Sequence, residues 1–207
     1  AEDLRQIMAA LVFATIDEMV GRVDRIDMKR AIRHWKADGV DLSRLLARVD
    51  IDEHAVLRHT ETQDHGLGAA LDVQLIEAAR PAIENGETLV LDFPVRNVNR
   101  TVGAMLSGEI AKRHGLAGLK PDQLRINLSG VAGQSFAAWL AHGVTLDLVG
   151  DANDYVGKGL SGGRVIVRQP EGVGREPTQN IIVGNTVLYG AIWGESYFGG
   201  FAGERFA

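Results

Sequence analysis

The chain has no cysteine among its 207 residues. A disulfide framework is therefore impossible, which excludes a secreted disulfide scaffold. The same absence removes a thiol nucleophile and cysteine ligands for zinc or an iron–sulfur cluster. Proline is scarce, at five residues, so the chain is neither collagen-like nor a low-complexity linker. No apolar run reaches membrane-spanning length, and Glu2 and Asp3 stand where a signal peptide would be basic. The formal net charge of -5 argues against a nucleic-acid partner, which wants a basic surface.

Glycine is abundant, with 25 residues concentrated after Gly103. A hydrophobic content of 45% and a charged content of 24% suit a globular core. The length suits one core with a helical appendage. Residues 1 to about 50 read as short helices. Leu4, Ile7, Met8 and Leu11 form one apolar stripe. Thr15 with Glu18 makes a capping-box pattern closed by Gly21. Asp27 is placed to cap a third helix through Trp35, closed by Gly39, and Leu42, Leu45, Leu46 and Val49 repeat the stripe. Residues 51 to 70 read as a connector. Asp72 then caps a helix that Pro81 interrupts and Gly86 ends. Thr88–Val95 reads as a strand and Ser107–His114 as a helix stopped by Gly115.

Beyond Leu124, strand-like runs alternate with glycine-bearing turns: Arg125–Leu128, Val144–Leu148, Arg164–Val167, Asn180–Val183 and Thr186–Tyr189. Gly130, Gly150 and Gly190 fit a period near 20, and Tyr155-Val156-Gly157 aligns with Tyr197-Phe198-Gly199. Such a period fits coils of a parallel β-solenoid. An antiparallel sandwich with glycine turns fits the pattern too.

The segment Gly150-Asp151-Ala152-Asn153-Asp154-Tyr155-Val156-Gly157-Lys158-Gly159, continuing to Gly162-Gly163-Arg164, resembles the signature of the C-terminal glycine-rich (GXGXG) domain of the glutamate synthase large subunit. Further blocks match in family order: Gln63-Asp64-His65-Gly66-Leu67, Asn99–Gly103, Leu106–Ile110, Gly133–Phe136 and Ala202–Ala207. Residues 1–50 more loosely resemble the segment joining that family's flavin domain to this one. The resemblance implies a mainly β fold, a right-handed parallel β-helix, over residues 51–207. It implies a fragment, truncated at its C-terminus, of a cytoplasmic enzyme making two glutamates from glutamine and 2-oxoglutarate. FMN and a 3Fe-4S cluster are implied for the parent, with no cofactor in this fragment. The implied partners are the other domains of the same subunit and the small reductase subunit, in an oligomer.

Several motifs resolve to turns. Gly157–Gly162 matches G-x-G-x-x-G, but a strand-like run follows where a dinucleotide site needs a helix. A P-loop fails because Gly159 follows Lys158 in place of Ser or Thr. Asp151-Ala152-Asn153-Asp154 begins like a calcium loop, but Gly162 stands where a bidentate Glu belongs. These Asx residues are expected to bond turn backbone or to stack as polar rungs. His54, His59 and His65 share no face at spacings of five and six. His65 is instead expected to lock the connector. Ser135 lacks the G-x-S-x-G elbow. No catalytic, cofactor or metal residue is assigned. The structural residues singled out are Gly150, Asp151, Asn153, Asp154, Tyr155, Gly157, Lys158, Gly159, Gly162, Gly163 and His65. Two alternatives stay open: a free-standing β-helix interaction module, and a groove-type carbohydrate-active enzyme using Asp147, Asp151, Asp154, Lys158 and Arg164.

Overall fold

Alternation with period two builds the sheet. Leu124, Ile126 and Leu128 point to one side of β2 (Leu124–Ala132) and are buried. They pair in parallel with Val144, Leu146 and Leu148 of β3 (Val144–Ala152). Leu146 and Leu148 pair in turn with Val165 and Val167 of β4 (Ser161–Arg168), also buried. Upstream lies β1 (Leu89–Val95), beside β2. Downstream come β5 (Ile181–Val183), β6 (Trp193–Gly199) and β7 (Phe201–Ala202). Among the described residues these make one seven-stranded sheet, every pair parallel, in the order β1-β2-β3-β4-β6; β5 joins the end of β3 and carries β7.

The computed structural model describes residues 1–26, 34–37, 39–48, 50–52, 54–172 and 176–207. It divides into two units, Ala1–Asp64 and His65–Ala207. In the first, α1 (Glu2–Ala10) buries Met8, and α2 (Ile16–Met19) starts at Thr15. Thr15 Oγ1 accepts from the Glu18 N–H at 3.2 Å, and Glu18 Oε2 accepts from the Ala14 N–H at 2.9 Å. The guanidinium groups of Arg22 and Arg25 stand over the Phe13 ring. Past Gly21 the expected helices give way to 3-10 turns at Val23–Arg25 and Trp35–Ala37 and a turn at Leu42–Leu46. The helix expected from Asp27 lies largely outside the described residues, as does Val49.

In the second unit, α3 (Leu71–Asn85) and α4 (Ala104–His114) put Leu75, Ala79, Ala82, Ile83, Leu106 and Ile110 into the same core as the strands. Pro81 does not interrupt α3, which runs on to Asn85. Gly86, at φ 74°, closes it by donating its N–H to the Pro81 carbonyl.

The expected mainly β, right-handed β-helix is overturned. The fold is α/β, with a single all-parallel sheet and helices that share its core. The physical reason lies in the connections. Leu124 pairs with Val144 and Gly130 with Gly150, both at the anticipated spacing of 20. Val90 pairs with Arg125 across a segment that holds α4, and Arg164 pairs with Glu195 across one that holds β5. Unequal crossings break the uniform repeat that a solenoid reading assumes. Tyr197 consequently lies on β6 opposite Ile166, whereas Tyr155 lies in a turn, so the two do not stack as strand equivalents one or two coils apart. Thr186–Tyr189, expected as a strand, is a turn, while β6 went unanticipated because Gly194 and Glu195 interrupt its pattern. Among the described residues no helix is long and apolar enough to cross a membrane.

Candidate functional site

The strands are joined by turns that stack on one another, and the glycine-rich signature lies at the centre of that stack. In three of these turns every second residue has positive φ: 53–61° at Ser135, Ala137 and Trp139, 62–65° at Tyr155, Gly157 and Gly159, and 59–68° at Thr186, Leu188 and Gly190. Alternating handedness sends successive backbone groups to the turns on either side. The N–H groups of Ser135 and Trp139 donate to the Asp154 and Lys158 carbonyls, both at 2.8 Å, and the Gly157 N–H returns one to the Phe136 carbonyl at 2.8 Å. Those of Tyr155 and Gly159 donate to the Asn185 and Tyr189 carbonyls, both at 2.9 Å, and the Leu188 N–H returns one to the Val156 carbonyl at 2.8 Å. Three bonds thus zip each turn to the next, and buried Phe136, Val156 and Val187 fill the space beneath. Left-handed backbone costs a residue with a side chain about 1–2 kcal/mol. The zipped backbone and the packed interior hold Ser135, Trp139, Tyr155 and Leu188 there.

Most of the residues singled out from the sequence gather in this stack or at its margins. Gly150, at φ 143°, pairs with Gly130, and a Cβ there would lie 1.8 Å from the Gly130 carbonyl oxygen. Asp151 is exposed near the end of β3. Asn153 makes a rung to Asn97, Nδ2 to Oδ1 at 3.1 Å, while its own Oδ1 accepts from the Asp154 N–H at 2.7 Å. Asp154 Oδ1 accepts from the Asn185 N–H at 2.7 Å, and Asn185 Oδ1 from the Glu204 N–H at 2.8 Å. The Asp154 and Asn185 oxygens therefore each hold the next turn, and that of Asn153 its own. Lys158 Nζ lies 5.6 Å from the centre of the Trp139 ring and 5.7 Å from that of Tyr155. Gly162 and Gly163 sit at the start of β4, inside a shift of register against β6. His65, by contrast, is exposed at the head of the second unit, and among the described residues no hydrogen bond or ion pair ties its ring to the turns.

Three of the five polar groups of the groove-type carbohydrate-active alternative have separate partners. Asp147 is buried on β3 between Arg125 and Arg168: Oδ2 accepts from Arg125, and Oδ1 from Arg168 Nε at 3.0 Å. Arg164 bridges Asp122 and Glu195. It holds the Glu195 carboxyl below the usual range. Asp154 bonds the turn backbone. Among the described residues no group of three or more carboxylate and histidine side chains is placed to hold a metal.

Asp72 is the residue that sequence reasoning misplaced. It sits in the first turn of α3, whose own cap, Ala70, makes no side-chain bond. Its carboxylate reaches the start of α4 instead. Oδ1 accepts from the Gly103 N–H at 2.8 Å, and Oδ2 from the Met105 and Leu106 N–H groups at 2.8 and 3.1 Å. The side chain is 3% exposed. Burial pushes its pKa up, against the pull of the three N–H donors, and burial wins. No local pattern reveals a cap supplied from another helix. Trp139 was missed as well, although it lies 20 residues before Gly159, the same offset that relates Gly130 to Gly150.

Comparison with known proteins agrees with the motif. The family model described as GXGXG motif matches residues 72–207. The chain is 44% identical over 209 residues to the glutamate synthase [NADPH] large chain of Bacillus subtilis, covering all of this chain and 14% of that protein. It is 47% identical over 208 residues to the glutamate synthase [NADH] of Schizosaccharomyces pombe, covering all of this chain and 10% of that protein. The chloroplastic ferredoxin-dependent glutamate synthase of Spinacia oleracea is 40% identical over 209 residues, with all of this chain and 13% of that protein covered. The chain thus spans roughly a tenth to a seventh of the length of these relatives. It belongs to the GXGXG-motif family, in the form that glutamate synthases carry.

Proposed function

We propose that this chain is a structural, non-catalytic domain of a glutamate synthase large chain, holding the catalytic domains in place during ammonia assimilation. The observation that carries this reading is the stack of turns, in which the backbone zips each turn to the next and Asn153 and Asp154 of the signature bond turn backbone. The relatives differ in the electron donor in their names, NADPH, NADH or ferredoxin, yet resemble this chain at 40–47% identity. A role independent of the donor accounts for that. FMN and a 3Fe-4S cluster belong to the proposed parent, but the residues here do not fit either group. There is no cysteine to ligate iron. The strand β4, not a helix N-terminus, follows the glycine turn where a flavin phosphate would need one. The same lack of cysteine leaves no thiolate for glutaminase chemistry. The proposed location is the cytoplasm, or the plastid where the enzyme is chloroplastic. The proposed contacts are the other domains of the large chain and a small reductase subunit, in an oligomer.

The test is Gly157→Val in the full-length enzyme. A Cβ at this position would lie 2.6 Å from Leu188 Cδ2, at φ 65°. Folding yield or coupling between the half-reactions should fall, while each half-reaction of the surviving protein stays within about twofold of wild type, since no reacting group is touched. Stoichiometric binding of FMN to the isolated chain in a fluorescence titration would return this segment to the active site and end the structural reading.

A further inference from the structure

The stack holds one large aromatic side chain at the surface in a fixed pose. Trp139 is 50% exposed and sits at φ 53°. Its N–H is bonded to the Lys158 carbonyl. Its indole lies so close to Gly159 that a Cβ there would be 2.6 Å from Cδ1 and Nε1. A strained backbone and a glycine in the facing turn are thus both used to keep an indole half in water. Beside it runs a groove of about 400 Å³, lined by Ala104, Gly108 and Ala111 along one stripe of α4, by Gly115 and Leu116 just past its end, and by Trp139. Leu116 is fully exposed. Lys158 stands over the Trp139 ring, and among the described residues no carboxylate lies within ion-pair distance of it.

We propose that this groove is where another segment of the same glutamate synthase polypeptide docks, one that places an apolar side chain between Leu116 and Trp139 and a carboxylate on Lys158. The inference rests on the structural reading above and names the face involved. Three observations choose the occupant. Relatives are about seven- to tenfold longer than this chain, so most of the homologous polypeptide lies outside it. Lys158, half-buried over two aromatic rings, gives the face a positive charge to which a carboxylate is complementary. The small side chains of α4 allow close approach of backbone. A preorganised aromatic loses little side-chain entropy on binding, and tryptophan is enriched where binding energy concentrates.

Photocrosslinking of the full-length enzyme tests the proposal. Leu116→p-benzoylphenylalanine is compared with the same replacement at Val90, an exposed residue of β1 away from the groove. The expected result is an intramolecular crosslink from position 116 to a peptide that contains Asp or Glu. Lys158→Glu in the same background should lower its yield at least about fivefold, because like charges at an interface cost several kcal/mol. Four results would overturn the proposal: crosslinks from position 116 only between two polypeptides, only within this chain, only to a peptide without a carboxylate, or unchanged by Lys158→Glu. Crosslinks to other domains from position 90 but not 116 would overturn the docking face and leave the structural role standing. Their absence from both positions would count against both readings.

Discussion

Removing the Asp72 carboxylate tests whether α4 depends on a cap lent by α3. In Asp72→Ala, the N–H groups of Gly103 and Leu106 lose their acceptor in a buried site, and that of Met105 in a part-buried one. A buried donor left without a partner costs about 1–3 kcal/mol. Two buried donors sum to about 2–6 kcal/mol and the part-buried third adds up to about 1 kcal/mol, while fraying of the first turn of α4 lets water in and disfavours the high end. We therefore expect a loss of about 3–5 kcal/mol, set against a total of about 5–15 kcal/mol for a typical domain. Urea unfolding followed by circular dichroism gives the number, from the shift in midpoint at constant slope. A loss under about 1 kcal/mol would refute the cap.

Asp72→Asn keeps the shape and removes the titration, so it reports the pH dependence. The folded pKa is raised above the ordinary aspartate value of 3.8. Between those two values the folded protein binds more proton than the unfolded chain, so stability falls as pH rises. The contribution of the titrating group is fully present below the unfolded value and is lost as pH rises through the folded one. The stability advantage of wild type over Asp72→Asn should therefore shrink from about pH 3.8 upward. An advantage that grows over the same range would mean that the three N–H groups and the α4 dipole outweigh burial.

Asp147→Ala should cost about 1–3 kcal/mol in the same unfolding assay, because it removes the acceptor that Arg125 and Arg168 share, whereas Arg168→Ala, removing the more exposed partner and leaving Arg125 on Asp147, should cost under about 1 kcal/mol. Equal losses would show that Asp147 does not organise the pair. Gly159→Ala should cost about 2–3 kcal/mol and shift the Trp139 emission, combining left-handed strain with expulsion of the indole. In the Trp139→Gly background the same change should cost about 1–2 kcal/mol, and an unchanged cost in that double-mutant cycle would rule out the clash.

What could be read from the sequence was local. Thr15 with Glu18, and Gly86 and Gly115 as helix stops, appear where the pattern puts them, because caps are satisfied within a few residues. The strands expected at Thr88–Val95, Arg125–Leu128 and Val144–Leu148 are present, although the second and third run on to Ala132 and Ala152, and the pairing of Gly130 with Gly150 was visible in their spacing. Membership of the family was legible from the ordered blocks. The fold expected of that family was not what the structure has, and the error lay beyond local pattern. How far apart in sequence two strands pair depends on what the chain does between them, as α4 does before β2. Asp72 obeys capping chemistry, but its partner is a helix about thirty residues away, which spacing rules do not reach. The left-handed residues at Ser135, Trp139, Thr186 and Leu188 were hidden for a related reason: their conformation is imposed by the neighbouring turns, not chosen by the residue.

This last point changes what the glycine signature means. Gly157 and Gly159 are at φ 65° and 62°, but Tyr155, two residues earlier in the same turn, is at 63°, and Leu188 and Trp139 are at 60° and 53°. Since bulky residues occupy this backbone conformation throughout the stack, conformation alone does not demand glycine. Contact across the stack does. The Cβ that Gly157 lacks would meet Leu188 from one side, and the Cβ that Gly159 lacks would meet Trp139 from the other. The middle turn is therefore stripped of side chains at the two positions where its neighbours lay theirs flat upon it. On this argument the Gly-x-Gly spacing records the alternation of the backbone, whose left-handed positions recur every second residue. The choice of glycine records the packing of Leu188 and Trp139. A member of the family with small residues at those two positions would lose the steric reason for glycine and keep only the intrinsic left-handed penalty of about 1–2 kcal/mol.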